Sequence, residues 1–546
     1  MATYTRKNAW NNNGDFTNLD LLWYSKGVRK MMSRALNDPA SWWFYAAIHG
    51  EYVNPNNAWY KKNPARFPDW GFITPAPQVP TAPLPTSQIQ GLYWNQCQHG
   101  TWYFLPWHRG YLMALERQLR QDIVALGGPS TWALPYWNYF GGTGGKQYVM
   151  PPAFKKTTLP DGSANALYVK MRYGPDANSK IYIPTPAGEA AHPGDPNFGY
   201  GEVTSDCMQN TIYTGTNSVT PPPGFGGPQS SFAHSGSPHG NCESNPHDLV
   251  HVYSGGAISN NNYGLMSDPG TAALDPIFYL HHCNIDRMWA VWIGSGNANP
   301  TAAAWLNGPT TRKFVMPGAG GTPWYYTPAQ VRNLSALDYT YQQLTLTKAA
   351  VAPAAMLAKR LTRLGATAAA KKATTAKAQA QPKKTELLGA SKSALRLTGM
   401  GIEAPVKLDT SVRRKAVASL AKASTSSTAS LPDKVFLKIE NVRGDFDATA
   451  LSVYVNLPEK AKPGKSTEYL AGTIALFGLN RASAKDGQHA GEGLTFILGI
   501  TRIVDELHLA NDFDADSLKV SIVPSRPLPD DAKITVGRIS VFRQAF

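Results

Sequence analysis

Seven of the twelve histidines in this 546-residue chain lie in stretches that read as apolar helix, and their placement limits the fold more than any other feature. Burying an imidazole is costly unless both ring nitrogens find partners. His49 closes "SWWFYAAIH", and His99 and His108 fall within "NQCQHGTWYFLPWHRGYLMALE". His281 and His282 follow "DPIFYL". His247 and His251 stand four apart in "NPHDLVH", one turn apart on one side of a helix, with Asn245 placed as a cap and Pro246 at the first helical position. One such histidine is most often a core residue with a hydrogen bond. Two groups of three are better satisfied by metal, which takes a ring nitrogen outright. The other five, His192, His234, His239, His489 and His508, lie in loops or in the C-terminal part and read as solvated surface imidazoles.

The residue types choose the metal. An HxxxH pair beside an acid also occurs in zinc peptidases, where a Glu is the base. Here the acid is Asp248, one methylene shorter, and the remaining histidines have no role in that chemistry. Neutral imidazoles without a carboxylate ligand suit copper, whose affinity tops the first-row series. Three histidines per copper leave a position open for dioxygen.

Residues 1–347 alternate apolar helical stretches with long loops rich in Pro, Gly and Asn; the longest, between 140 and 240, has few helix signals and reads as loop with short strands. The expected fold is therefore a mainly α domain with its chemistry on helices. Residues 348–431 turn Ala-, Lys-, Ser- and Thr-rich and read as a mobile linker. From 432 to 546 short β-branched runs such as "KVFLKIENV", "ALSVYVNL" and "KITVGRISVF" predict a C-terminal β-sandwich.

Residues 351–430 hold 15 Lys+Arg against 3 Asp+Glu, so they carry +12 of the chain's formal +15. The charge belongs to one segment that has no aromatic residue to stack a base, which argues against nucleic-acid binding. No apolar run is long enough to cross a membrane, and the N-terminus shows no secretory leader. A cytoplasmic protein, or one exported without a visible signal, is the expectation, and a homo-oligomer is compatible with the sequence. Four cysteines are too few for a disulfide scaffold; Cys207 and Cys242 either pair or stay free thiols.

"FLPWHRGYLMALE" and "LDPIFYLHHCNIDRMWAVW" resemble the two signature motifs of tyrosinases, catechol oxidases and molluscan haemocyanins, the type-3 dicopper proteins. The resemblance covers nearly the whole chain. It implies a four-helix bundle holding two coppers, with His49, His99 and His108 on the first and His247, His251 and His282 on the second. The helical reading does not choose between His281 and His282, so that choice rests on the resemblance. It also implies a thioether between Cys97 and His99, and Glu243 as the holder of a water at the site entrance. Asp248 stands where many relatives have Asn. "DYTY" at 338–341 resembles the motif that closes the catalytic domain, and the C-terminal part resembles the covering domain of plant polyphenol oxidases. The paired N-terminal cysteines of plant members are missing.

The implied activity is oxidation of small phenolic substrates by O2: ortho-hydroxylation of monophenols and conversion of o-diphenols to o-quinones. The implied state is a latent enzyme, released by an activating protease. The stretch 476–491, "LFGLNRASAKDGQHAG", is the candidate source of an apolar or aromatic blocking side chain. The alternatives are a catechol oxidase or o-aminophenol oxidase with little monophenolase activity, and a haemocyanin-like oxygen carrier.

Overall fold

The computed structural model describes residues 4–51, 79–192, 201–215, 223–232, 238–259, 262–346, 353–375, 384–399, 401–425, 430–485, 491–514, 516–529 and 532–546. Local sequence explains where the main helices start. Asn18 accepts the N–H of Asp20 to begin α1 (Leu19–Met32), and Ser41 accepts that of Phe44 to begin α2 (Trp42–His49). α3 runs over Phe104–Ala125 and α4 over Leu249–Gly255. Asp275 accepts the N–H of Ile277 and Pro276 takes the first position of α5 (Pro276–Gly294).

All eight residues of α2 and almost all of α5 are buried, as expected for helices apolar around most of their circumference. α1 lies close on α3 because Gly27 has no side chain; a Cβ there would come within 3.1 Å of Leu119 and Ile123. Gly110 of α3 is more constrained still. The Tyr326 ring occupies the space a Cβ would need and donates its hydroxyl to the Trp107 carbonyl. Among its described residues the long 140–240 stretch is mainly loop, but its regular pieces are short 3-10 turns and one six-residue helix (Pro186–Ala191) and not the short strands expected.

The ends of this domain are joined. β1 (Tyr4–Arg6) pairs in parallel with β2 (Tyr339–Tyr341), which comes from the "DYTY" motif. Beneath the pair, Asp286 of α5 accepts the hydroxyls of Tyr339 and Tyr341 and ion-pairs with Arg6 and Arg109. These charges are fully buried, so each one requires the others.

The C-terminal half departs from the expectation in two ways. The stretch read as a mobile linker is largely structured. It forms α6 (Pro353–Arg363), α7 (Ala368–Thr375), β3 (Lys384–Ala390), β4 (Ile402–Leu408) and α8 (Thr410–Thr425). β4 has Ala404, Val406 and Leu408 pointing inward between exposed residues, a period of two hidden in a lysine-rich background.

The second departure is the sandwich. β3 and β4 join β5 (Lys434–Arg443), β6 (Ala450–Val455), β7 (Leu470–Ala475), β8 (Leu494–Gly499), β9 (Ser517–Pro524) and β10 (Thr535–Ala545) in a single sheet. Its order is β7-β6-β9-β4-β3-β10-β5-β8, with the short Leu395–Arg396 strand added on β10, nine strands among the described residues. Every pairing is antiparallel. The two edge strands curl toward each other until Leu498 of β8 reaches Gly472 of β7, where a Cβ would lie 3.0 Å from it. The domain is a nearly closed barrel with its own apolar core, not two packed sheets.

Candidate metal centre

α2, α3, α4 and α5 carry histidines toward one buried point, and a loop adds His99. One group contains His49, Cys97, His99 and His108; a second contains His247, His251, His281 and His282. Within each group one ligand-type atom per residue lies within 4.8 Å of the others. The groups adjoin: the rings of His108 and His282 stack at 4.3 Å with an 11° interplanar angle. His282 thus spans the two groups, while His281 stacks on His247 at 5.3 Å on the outer side, toward Tyr139.

Hydrogen bonds fix the tautomers. The Nδ1–H of His49 donates to Pro269, that of His108 to Phe104 and that of His251 to Met266, each at 2.8 Å to a main-chain carbonyl. Among the described residues, the Nε2 atoms of His49 and His251 are buried and have no hydrogen-bond partner. Nε2 of His247 faces Nε2 of His282 at 3.3 Å. Converging acceptors of this kind are unfavourable alone and suit a cation between them. Burial holds His49 down to about 3, and pushes His108, His247, His251 and His282 well below the ordinary imidazole range, so the rings are neutral. Neutral imidazoles with open Nε2 lone pairs are the donor set a copper pair takes.

Cys97 Sγ lies 3.5 and 3.7 Å from the two nitrogens of His99 and 3.3 Å from Nε2 of His108. Cys207 and Cys242 remain free thiols. Phe104 and Phe278 wall the site, the first 4.6 Å from the His108 ring and the second 4.2 Å from that of His282.

The local geometry before His247 differs from the simple capped helix expected there. Asn245 is extended, with φ −149° and ψ 115°, and its side chain ties to Glu202 and Thr204 without capping α4. Glu243 is buried and accepts the N–H of Gly100 at 2.9 Å. Asp248 accepts Nδ1–H of His247 at 2.8 Å through one oxygen.

His239, read from sequence as a surface imidazole, is instead part of the site. It is 9% exposed, and its Nδ1 lies 2.6 Å from the other oxygen of Asp248 and 3.7 Å from Glu243. Burial pulls its pKa down, but Glu243 and Asp248 outweigh burial and push it up to about 9. Burial raises Glu243 to about 8, and Asp248 is raised in the same direction. His234 and His489 lie outside the described residues.

The C-terminal domain closes over the histidines, leaving a small cavity lined by His49, His99 and His239 on one side and Phe477 and Arg481 on the other. Phe477, in the 476–491 stretch, stacks on His251 at 4.2 Å and sets its edge to His99 at 5.7 Å and His247 at 6.1 Å. Gly478 follows at φ +81° and lets α9 (Leu479–Ser483) start close against Pro269, with Arg481 on the same cavity wall. Asp447 steadies this turn by accepting the N–H of Asn480. Further off, Arg526 donates to the Gly174 carbonyl and Tyr263 to that of Asp445 across the same interface.

Two adjoining groups of buried, neutral histidines in a helical domain, faced by a ring from a sheet domain, form a site suited to a pair of copper ions. The comparisons with known proteins agree. Residues 39–295 match the common central domain of tyrosinase, and 384–544 match a domain of unknown function, DUF7868. The chain is 31% identical over 546 residues to Tyrosinase HcTyr1 of Hahella sp. (strain CCB-MM4), covering 98% of each. It is 25% identical over 440 residues to a chloroplastic polyphenol oxidase of Malus domestica, covering 78% of this chain and 64% of that one.

Among solved structures, latent aurone synthase, a polyphenol oxidase, aligns with TM-score 0.58 at 19% identity over 100% of this chain and 90% of that one. Latent apple tyrosinase aligns with TM-score 0.57 at 19% identity, covering 99% and 97%. The chain belongs to the tyrosinase family and is an oxidoreductase of that family. The matched segment 384–544 begins at β3, in agreement with the sheet and well before residue 432.

Proposed function

We propose that this protein hydroxylates monophenols and oxidises o-diphenols to o-quinones with dioxygen, and that the C-terminal domain keeps it latent. His49, His99 and His108 would hold one copper and His247, His251 and His282 the other, on a four-helix bundle of α2 to α5. The observation that carries the reading is the stack of His108 on His282, which sets the two neutral histidine groups side by side. When bound, the copper pair supplies the two-electron chemistry with O2.

The protein's own share is positional. Main-chain carbonyls fix Nδ1–H on His49, His108 and His251, leaving Nε2 for metal. Phe104 and Phe278 exclude water. Phenols of the tyrosine type ordinarily titrate near ~10, so hydroxylation needs help in removing the phenol proton. Glu243 and Asp248, near each other behind His239, are the groups that would hold the water receiving it. A Cys97–His99 thioether would lock the His99 ring, and Sγ already rests against that ring. The Phe477 ring stacks on His251 over the histidine groups, where it would stand in the way of a substrate ring, and this supports latency and activation by a protease.

A second reading is a catechol oxidase. Both oxygens of Asp248 are engaged, one by His239 and one by His247, so Asp248 is less free to hold a water than a relative's Asn would be. Copper-loaded protein assayed with L-tyrosine, L-DOPA and an o-aminophenol, before and after limited proteolysis, separates these readings. Oxygen binding without turnover of any of the three would indicate a carrier.

A further inference from the structure

Four of the metal-facing imidazoles fix their tautomers by an Nδ1 hydrogen bond, and one does it differently. His49, His108 and His251 each donate to a main-chain carbonyl at 2.8 Å. His247 donates to a carboxylate, Oδ1 of Asp248, at the same distance. A carboxylate is a stronger acceptor than a peptide carbonyl, so it makes the opposite nitrogen a better donor to metal. It is also less well fixed. A peptide carbonyl is held by the chain, whereas an Asp carboxyl turns about its last side-chain bond unless its second oxygen is held too.

That second oxygen is held by His239, whose Nδ1 lies 2.6 Å from Oδ2 of Asp248. The same ring is 3.7 Å from Glu243 and lies parallel to His99 at 6.4 Å. It therefore sits between two buried carboxyl groups that would otherwise crowd each other behind the site. The sequence places Glu243 four residues after His239 and Asp248 five residues further on, so the turn into α4 brings all three together.

We propose that His239 is a positioning residue for the second histidine group: it clamps Asp248, and Asp248 sets the tautomer and ring plane of His247. The proposal rests on His247 being a copper ligand. His239 needs no contact with substrate for this role.

The test is copper(I) binding by the full-length apoprotein, titrated against a chromogenic chelator of known copper affinity. The wild type should take up two ions. His239→Phe should weaken one of them by roughly tenfold to a hundredfold, the range typical for loss of an outer partner of a ligand, and leave the other unchanged. His239→Asn, whose side-chain N–H stands where the Nδ1–H of His239 does, should recover most of the loss. Asp248→Asn should show a similar weakening, and adding His239→Phe to it should cost little more, since the path runs through Asp248. His239→Phe binding both ions as tightly as wild type would overturn the proposal. So would an undiminished further loss in the Asp248→Asn background. A wild-type chain that took up fewer than two coppers would instead overturn the copper reading, and this proposal with it.

Discussion

Removing the Phe477 ring is the most direct test of the covering role. The side chain is 2% exposed, and burying a Phe is worth about 1.5–3 kcal/mol. Its stack on His251 at 4.2 Å adds about 0.5–1.5 kcal/mol. Phe477→Ala should therefore weaken docking of the covering domain by roughly 2–4.5 kcal/mol, which at ~1.4 kcal/mol per decade is about 30- to 1,600-fold in the uncovered fraction. The rise in activity is capped by that of the trimmed chain, because a fully uncovered site can do no more. The assay is L-DOPA oxidation by full-length wild type, full-length Phe477→Ala and proteolytically trimmed wild type, all copper-loaded and matched for copper content. Phe477→Leu, which stays apolar but loses the stack, should fall between wild type and Phe477→Ala. If Phe477→Ala were as latent as wild type while the trimmed chain was several-fold more active, something other than this ring would close the site.

The remaining expectations are more compact. His108→Ala or His282→Ala should abolish binding of a copper pair, read by elemental analysis; one zinc per active wild-type chain would refute the copper assignment. A peptide spanning residues 90–110 should be lighter by two hydrogens and resist alkylation at Cys97; full alkylation in copper-loaded protein would remove the thioether and leave the rest standing. With activities normalised to bound copper, Glu243→Gln or Asp248→Leu should reduce tyrosine hydroxylation far more than diphenol oxidation, and equal losses would mean that both residues act only as supports of the histidine site. Burial first, and then the charge of Asp268, hold Asp447 well above the usual carboxylate range, while Asn480 N–H and Arg481 pull it down and Asp445 pushes it up. A raised carboxyl of this kind stabilises the docked state fully below its ordinary pKa of ~4 and less as pH rises. The activity of full-length relative to trimmed protein should therefore increase with pH, and Asp447→Asn should flatten the increase.

The histidines were legible because they break a rule that is local in sequence: a polar ring inside an apolar helix asks for a partner. His49, His108, His247, His251 and His282 meet where that rule and the motifs place them. His239 broke no such rule. It lies in a Gly- and Pro-rich loop with no period to show which way it faces, and its burial is decided by the turn that folds it onto Asp248. The one signal was the acid four residues later.

β3 and β4 were missed for another reason. Composition averaged over residues 348–431 drowned the alternation of "IEAPVKL", in which every second residue from Ala404 points inward. Barrel closure was not legible at all, because the approach of Gly472 and Leu498 depends on strand pairing and twist, which the pattern within each strand does not carry.

The β1–β2 pair has a consequence for how the covering domain can be shed. With Tyr4–Arg6 stitched alongside Tyr339–Tyr341, the catalytic domain is sewn into a ring before the chain leaves for the sheet domain. The seam is locked from below by Asp286, Arg6 and Arg109, whose hydrogen bonds and ion pairs run to Glu116, Val331, Arg332, Tyr339, Tyr341 and one another, all within the catalytic domain. The barrel hangs from the ring as a pendant; among the described residues the seam's own bonds extend only to Gln342 and its neighbours, so a cut between α7 and β3 would sever the cord without opening the seam.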